Sequence, residues 1–254
     1  MAGVSAPADE PSPDSPAAEV ASRALGGGDG GGNGADEQVL KVDIWSDVIC
    51  PWCYIGKTRF DEALARFEGP GRIEVEYHAY QLDPTAAPGA TMPVAEAYAR
   101  KFGGPERARQ IIDELTAVAA GDGLDFRLDQ AKRANTLLAH RAIWFAATHR
   151  RQAALKERLM AAYFTEGRNI GDPDELASLA AEVGLDEVEV AAFLTSTEGA
   201  GEVAEDLAQA AAYGITAVPT YVVDGRWSIP GAQDVDTFVQ VLTRMANRLH
   251  ASAT

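Results

Sequence analysis

A chain of 254 residues, 46% hydrophobic and 24% charged, has a formal net charge of -16 at pH 7. That composition supplies enough apolar side chain for the core of one or two globular domains. The negative balance speaks against nucleic acid or an anionic membrane as a partner, because both are polyanions, and no stretch approaches the roughly 20 apolar residues that span a bilayer.

The opening segment, "MAGVSAPADEPSPDSPAAEV", has neither the basic start nor the apolar run that directs secretion. A cytoplasmic location is the expectation from it. Residues 1–36 are rich in Gly, Pro, Ala and Ser and run out in "GGGDGGGNG". With almost no bulky apolar side chain to offset the entropy of ordering, they are predicted to form a disordered acidic tail.

Order is expected from residue 37. "QVLKVDIW" places Leu40, Val42 and Ile44 on one face of a strand. After "CPWC", the run "YIGKTRFDEALARF" has Phe60, Leu64 and Phe67 at helical spacing, and "EGPG" stops the helix. "RIEVEYHAY" then alternates at Ile73, Val75, Tyr77 and Ala79, which predicts a second strand. Residues 37–85 therefore read as a βαβ unit with its cysteines at the start of the helix.

Residues 86–212 change character. They are dominated by Ala, Leu, Glu, Arg and Gln, with breaks at "GGP", "GDG", "EGRNIGDPD" and "VGLD". An all-helical insertion is predicted. Asn135 in "ANTLLAHRAIWFAATHR" is a candidate N-cap, and Asp172 precedes Pro173 at a first helical position. Trp144, Phe145, Tyr163 and Phe164 read as helix-packing core, with the lining of a small-molecule pocket as the alternative. Over residues 213–254, "VPTYVVDGRWSI" predicts a hairpin turning on Asp224 and Gly225 as a two-residue pair. A last helix, 235–249, lines up Phe238, Val241, Leu242, Met245 and Leu249.

The chemistry concentrates in two residues. Cys50 and Cys53 are the only cysteines of the chain and enclose Pro51 and Trp52. A tetrahedral zinc site needs two further ligands, and His78, His140, His149 and His250 offer no pair at a zinc-finger spacing. A static disulfide suits a cytoplasmic protein poorly. The βαβ context is the one a redox pair requires, so thiol–disulfide exchange without metal or cofactor is the expectation. A helix N-terminus favours the thiolate of Cys50. That makes Cys50 the exposed attacking sulfur and Cys53, one turn further in, the resolving one. Pro51 suits the first turn, where an N–H would lack a partner. Downstream, Pro219 opens a strand in "TAVPTYVV". An X-Pro bond can be cis at modest cost, but taken alone the pattern favours an ordinary trans proline at a strand start.

"SDVICPWCYIGK", "NTLLAHR" and "VPTYVVDGRWSIPGAQ" together resemble the DsbA-like thioredoxin-fold oxidoreductases, and within them the FrnE-like branch. The resemblance covers about residues 39–249. It implies an α/β architecture, a thioredoxin fold with an inserted all-helical domain. It also implies Cys50 as nucleophile, Cys53 as resolving thiol, and a cis Val218–Pro219 bond packed against them. Substrate main chain would cross that loop as an added strand, with Pro51, Trp52, Val218 and Pro219 as substrate contacts. The implied activity is protein-disulfide oxidoreductase or isomerase, on protein disulfides or small thiols such as a low-molecular-weight thiol, as monomer or homodimer.

Two positions depart from the family pattern. Ile44 stands where many relatives have a buried acid, which leaves proton transfer unassigned between the nearby Asp43 and Asp47. Pro-Trp replaces Pro-His between the cysteines, which predicts a less oxidising pair. The same architecture hosts kappa-type glutathione transferases and 2-hydroxychromene-2-carboxylate isomerases, the alternative enzyme class. A non-catalytic redox-sensing or chaperone-like module is the third reading.

Overall fold

The computed structural model describes residues 38–252. The tail expected over residues 1–36 lies outside the described residues. A four-stranded sheet is built from both ends of the described chain. Its strands are β1 (Val39–Ser46), β2 (Arg72–Ala79), β5 (Thr220–Val223) and β6 (Trp227–Pro230), in the order β2-β1-β5-β6. β1 runs parallel to β2 and antiparallel to β5, which pairs antiparallel with β6. The parallel β1–β2 pair needs a crossover, and helix α1 (Pro51–Ala65) provides it.

The alternation in β1 decides where α1 lies. Leu40, Val42 and Ile44 are buried on one sheet face with Phe60 and Ala63 of α1 and with Phe238 and Leu242 of α9 (Val235–Ser252). On the other face Trp45 joins a second buried cluster, which takes in Cys50, Cys53, Tyr54 and Ile55 from the start of α1. Helix α1 is thus shared between two cores, its N-terminal turns in one and its C-terminal turns in the other.

The chain between β2 and β5 forms seven helices among the described residues: α2 (Val94–Phe102), α3 (Pro105–Gly121), α4 (Leu137–Thr148), α5 (Gln152–Phe164), α6 (Pro173–Ala181), α7 (Glu187–Thr195) and α8 (Ala200–Ala212). A short pair of strands interrupts the expected all-helical pattern. β3 (Met92–Pro93) and β4 (Lys132–Arg133) pair antiparallel and close the loop around α2 and α3.

Several local expectations shift by a few residues. Helix α1 ends at Ala65 with Arg66 as its cap, before "EGPG". Helix α4 begins at Leu137, and Asn135 caps it from one position further out, accepting the Leu137 N–H at 2.9 Å. Asp172 is the N-cap of α6 and accepts from the amides of Asp174 and Glu175. The β5–β6 connection has three residues, because Val223 pairs with Trp227. Asp224 and Gly225 both take left-handed φ, 52° and 63°, and the Arg226 N–H closes the turn on the Val223 carbonyl, so Arg226 is the extra residue.

One carboxylate fastens the helical segment to the sheet. Asp206 of α8 lies 2.7 Å from Nδ1 of His78 and accepts the Ala79 N–H at 2.8 Å, while its carbonyl accepts from the Trp45 indole. Asp43 lies 3.1 Å from the other nitrogen of His78. Burial alone would disfavour the charged imidazole, but the hydrogen bonds to Asp206 and Asp43 outweigh it and raise its pKa to about 9.

A raised pKa places this contribution to stability below the ordinary imidazole value of roughly 6.5. It is lost as pH rises through about 9. Asp206→Asn is therefore expected to lose on the order of 2 kcal/mol near neutral pH. The gap to the unaltered protein should close as pH rises through 9, measured by urea unfolding across the pH range. A gap independent of pH would contradict the assignment.

Candidate active site

Cys50 is the residue just before α1, in extended conformation with φ -86° and ψ 115°, and Pro51 follows at the first helical position. The carbonyl of Cys50 accepts from the amides of Cys53 and Tyr54, so the pair spans the first helical turn. Both residues are free thiols. Cys50 Sγ lies 3.6 Å from the carbonyl oxygen of Val218, on the loop leading into β5. The Val218–Pro219 bond is cis. The Val218 carbonyl, on the loop where the resemblance places substrate main chain, is thus approached by the Cys50 thiol.

Cys50 is not exposed as the sequence suggested: it is 3% accessible. Its outer side borders a cavity of about 690 Å³ walled by Trp52, Val218, Tyr98, Leu115 and Tyr163. Residues of α2 and α3 cover a thiol that a bare helix tip would have left open. Pro51 and Trp52 line this cavity with Val218, and Trp52 is 44% accessible at its edge. Pro219 does not line it. Its ring turns toward α1, where an added Cβ at Gly56 would come within 3.0 Å of Pro219 Cγ and 2.8 Å of Tyr221 Oη. Tyr163 is the one candidate aromatic on the cavity wall; Phe164 is stacked on Phe126, Phe145 packs against Phe193, and Trp144 faces a different cavity.

The electrostatics differ across the pair. Burial, and then the neighbouring charge of Cys50, push the Tyr98 phenol up to about 12, so it stays a donor on the outer side. Burial is also the largest influence on Cys53, followed by the hydrogen bond and charge of Cys50, and its thiol lies well above the ordinary value. Two groups pull the other way: the charge of Lys156 and the backbone N–H of Asp47.

Those residues carry the polar chemistry that sequence reasoning missed. Asp47 is wholly buried; its carboxylate accepts the Leu82 N–H at 2.8 Å and lies 3.3 Å from Nε2 of His140. The same nitrogen lies 3.0 Å from the Tyr80 carbonyl, which can only accept, so Nε2 bears the proton. Lys156 of α5 is 1% accessible and donates to the Ser46 carbonyl at 3.3 Å. Asp47 therefore belongs to the site, while Asp43 is committed to His78. A hint lay in the "NTLLAHR" stretch, whose Asn135, His140 and Arg141 all make buried hydrogen bonds. Lys156 also shares a helix face with Leu159, Met160 and Tyr163, an apolar setting that marks a buried cation.

Among the described residues, Asp43, Glu76 and His78 form the one group close enough to hold a metal ion. Both ring nitrogens of His78 are engaged by carboxylates and the ring holds its second proton to about pH 9, which leaves no lone pair for a metal. No helix among the described residues is long and apolar enough to cross a membrane.

A thioredoxin sheet, a helix that begins at one cysteine of a CxxC pair and a cis proline facing that helix define a class, and the sequence agrees with it. Residues 41–243 match the DSBA-like thioredoxin domain, and the chain belongs to that family. Membership supports a general oxidoreductase or isomerase role. The chain is 30% identical over 211 residues to the uncharacterized protein YwbO of Bacillus subtilis (strain 168), covering 80% of this chain and 96% of that one. It is 37% identical to the probable DsbA oxidoreductase SCO1869 of Streptomyces coelicolor, with a TM-score of 0.76 over 81% of this chain and 89% of that one. The cytosolic disulfide reductase DsbM of Pseudomonas aeruginosa shares the fold at 21% identity, with a TM-score of 0.58 over 82% and 98% of the two chains.

The close approach at Gly56 gives a direct check on the packing of the site. Helix propensity favours Ala over Gly by roughly 1 kcal/mol. Here the added methyl meets Tyr221 and Pro219, both held by the core. Overpacking of about 1–3 kcal/mol should win. Gly56→Ala is expected to lower stability in chemical denaturation and to change the reactivity of Cys50 toward Ellman's reagent. A stabilised protein with unchanged thiol reactivity would show that the loop does not rest on α1.

Proposed function

We propose that the protein is a thiol–disulfide oxidoreductase or isomerase of protein or small-molecule disulfides, with Cys50 as the attacking thiolate and Cys53 as the resolving thiol. The observation that supports this most is the unequal placement of the two sulfurs. Cys50 stands at the helix tip against a substrate-sized cavity, and Cys53 is enclosed one turn behind it. The helix N-terminus stabilises negative charge on the first sulfur.

In this reading the Cys50 thiolate attacks one sulfur of a substrate disulfide, and the other substrate sulfur leaves as a thiolate. Cys53 then loses its proton and attacks Cys50. The second substrate sulfur departs and the Cys50–Cys53 disulfide forms. The substrate gains two electrons and the pair loses two; the reverse sequence oxidises a dithiol. Trp52, Pro51 and Val218 offer apolar contact and a backbone carbonyl to the substrate, and Pro219 sets the loop against α1. The apolar wall favours disulfides flanked by apolar side chains. With only two cysteines, both at this site, the chain suits a reducing cytoplasm, where a low-molecular-weight thiol is an available partner.

Cys50→Ser is expected to reduce insulin reduction to the uncatalysed rate. Cys53→Ser should keep the first attack but accumulate a mixed disulfide with glutathione on Cys50, read as an added mass on the intact protein. Full turnover in Cys50→Ser would overturn the roles given to the two cysteines.

A further inference from the structure

Cys50 is buried beneath the cavity of about 690 Å³, so a substrate sulfur reaches it through that space and the cavity walls decide what enters. The buried part of the wall is apolar: Val94, Leu115 and Val218, with the ring of Tyr163. Toward solvent it carries the exposed side chains of Trp52, Leu82 and Phe102. A volume of this size, with walls of this kind, suits a small organic molecule.

The charge at this cavity runs against that of the chain. The protein has a formal net charge of -16, yet Arg100 and Lys101 of α2 and Arg133 of β4 line the cavity against one acid, Asp83. The cavity of about 380 Å³ that Trp144 faces has a different balance, with Glu76, Glu202, Glu205 and Asp206 against Lys156 and His78. Asp83 is already engaged: it pairs with Arg133 and accepts from the amide and hydroxyl of Thr85. Arg100 is paired with Glu96. Lys101 has no carboxylate partner among the described residues, and its ammonium stands 5.6 Å from the centroid of the Phe102 ring. Further in, Tyr163 is 3% accessible, and its phenol oxygen has no hydrogen-bond partner among the described residues. The same holds for Tyr98, whose ring meets Phe102 edge-on at 5.4 Å. Burial keeps both phenols protonated, so both can donate. An enclosed donor without a partner costs free energy until a ligand accepts from it. The two phenols therefore call for an acceptor, and the unpaired ammonium calls for an anion.

We propose that the substrate of this site is a small organic disulfide with an apolar body and a carboxylate, its body held against Val94, Leu115 and Val218, its carboxylate drawn to Lys101 and its acceptor atoms met by the phenols of Tyr98 and Tyr163. The proposal rests on Cys50 being the attacking thiolate and names the substrate class for that reading. The exchange balances without a further reactant. One substrate disulfide and the Cys50–Cys53 dithiol give two thiol acids and the Cys50–Cys53 disulfide. The substrate S–S bond breaks, the bond between the two cysteines forms, and two electrons and two protons pass to the products. Lys101 and Tyr163 decide which disulfide is held and take no part in the bond exchange.

Two aryl disulfides test this. Ellman's reagent carries a carboxylate on each ring, and dithiodipyridine is neutral. The second-order rate constant of each with the reduced protein, divided by its rate constant with mercaptoethanol, removes the intrinsic difference between the reagents. The ratio of the two normalised values should favour Ellman's reagent by about 10-fold at low salt and shrink as salt is added, although the chain as a whole repels anions. Lys101→Glu should lower the ratio by about 10-fold. Lys101 is exposed, so the fold should tolerate the change. Arg244→Glu makes the same change of charge on the exposed side of α9, outside the cavity, and should leave the ratio where it was. Tyr163→Phe, which removes one oxygen, should lower the ratio by about 5-fold. Two results overturn the proposal: a native ratio at or below one, or a ratio that Lys101→Glu moves no more than Arg244→Glu does. A native protein in which neither reagent forms the Cys50–Cys53 disulfide, seen as no second equivalent of released thiol, overturns the redox-pair reading itself.

Discussion

Gly56 has no side chain, and that allows α1 to lie against Pro219 and Tyr221 at a distance no Cβ would tolerate. Cys50 begins the same helix, six residues earlier, and its sulfur is held 3.6 Å from the Val218 carbonyl. The contact joins parts of the chain separated by more than 160 residues. It also depends on both cores, because α1 gives its first turns to one buried cluster and its last turns to the other. Losing the fit at either end would shift the helix tip, and with it the position of the first sulfur.

Once the helix is placed, the two thiols cannot be equivalent. One stands at the end of a helix dipole and borders an apolar cavity; the other is enclosed, with the charge of a buried amine and a backbone N–H acting on it. The first setting suits exchange with an incoming sulfur. The second disfavours a free thiolate until a partner takes the proton. Direction of electron flow in such a pair follows from the relative stability of the dithiol and disulfide forms. The environment of Cys53 bears on that balance as directly as the residue pair between the cysteines.

Much of this was legible in local pattern. The alternation of β1 and β2, the helix after "CPWC" and the hairpin after "VPT" each follow from neighbouring residues, and the combination pointed to the DsbA-like fold. What stayed hidden depends on distant contacts. Nothing near Cys50 announces that α2 and α3 will cover it. Lys156 sits in an Ala-rich helix where a lysine ordinarily faces water, and only its alignment with Leu159, Met160 and Tyr163 hints otherwise. Asp47 follows a strand and reads as a turn residue, yet it is wholly buried because Leu82 and His140 satisfy its oxygens. The three-residue hairpin was missed because a favoured turn pair does not specify whether the next residue joins the ladder.

The unequal reactivity of the two sulfurs is the claim from which the rest follows. A brief pulse of an alkylating agent on the fully reduced protein, quenched and mapped by peptide mass spectrometry, measures it directly. The account predicts alkyl label on Cys50 at neutral pH while Cys53 stays unmodified until the protein is unfolded. Label appearing first on Cys53, or at equal rates on both, would contradict it.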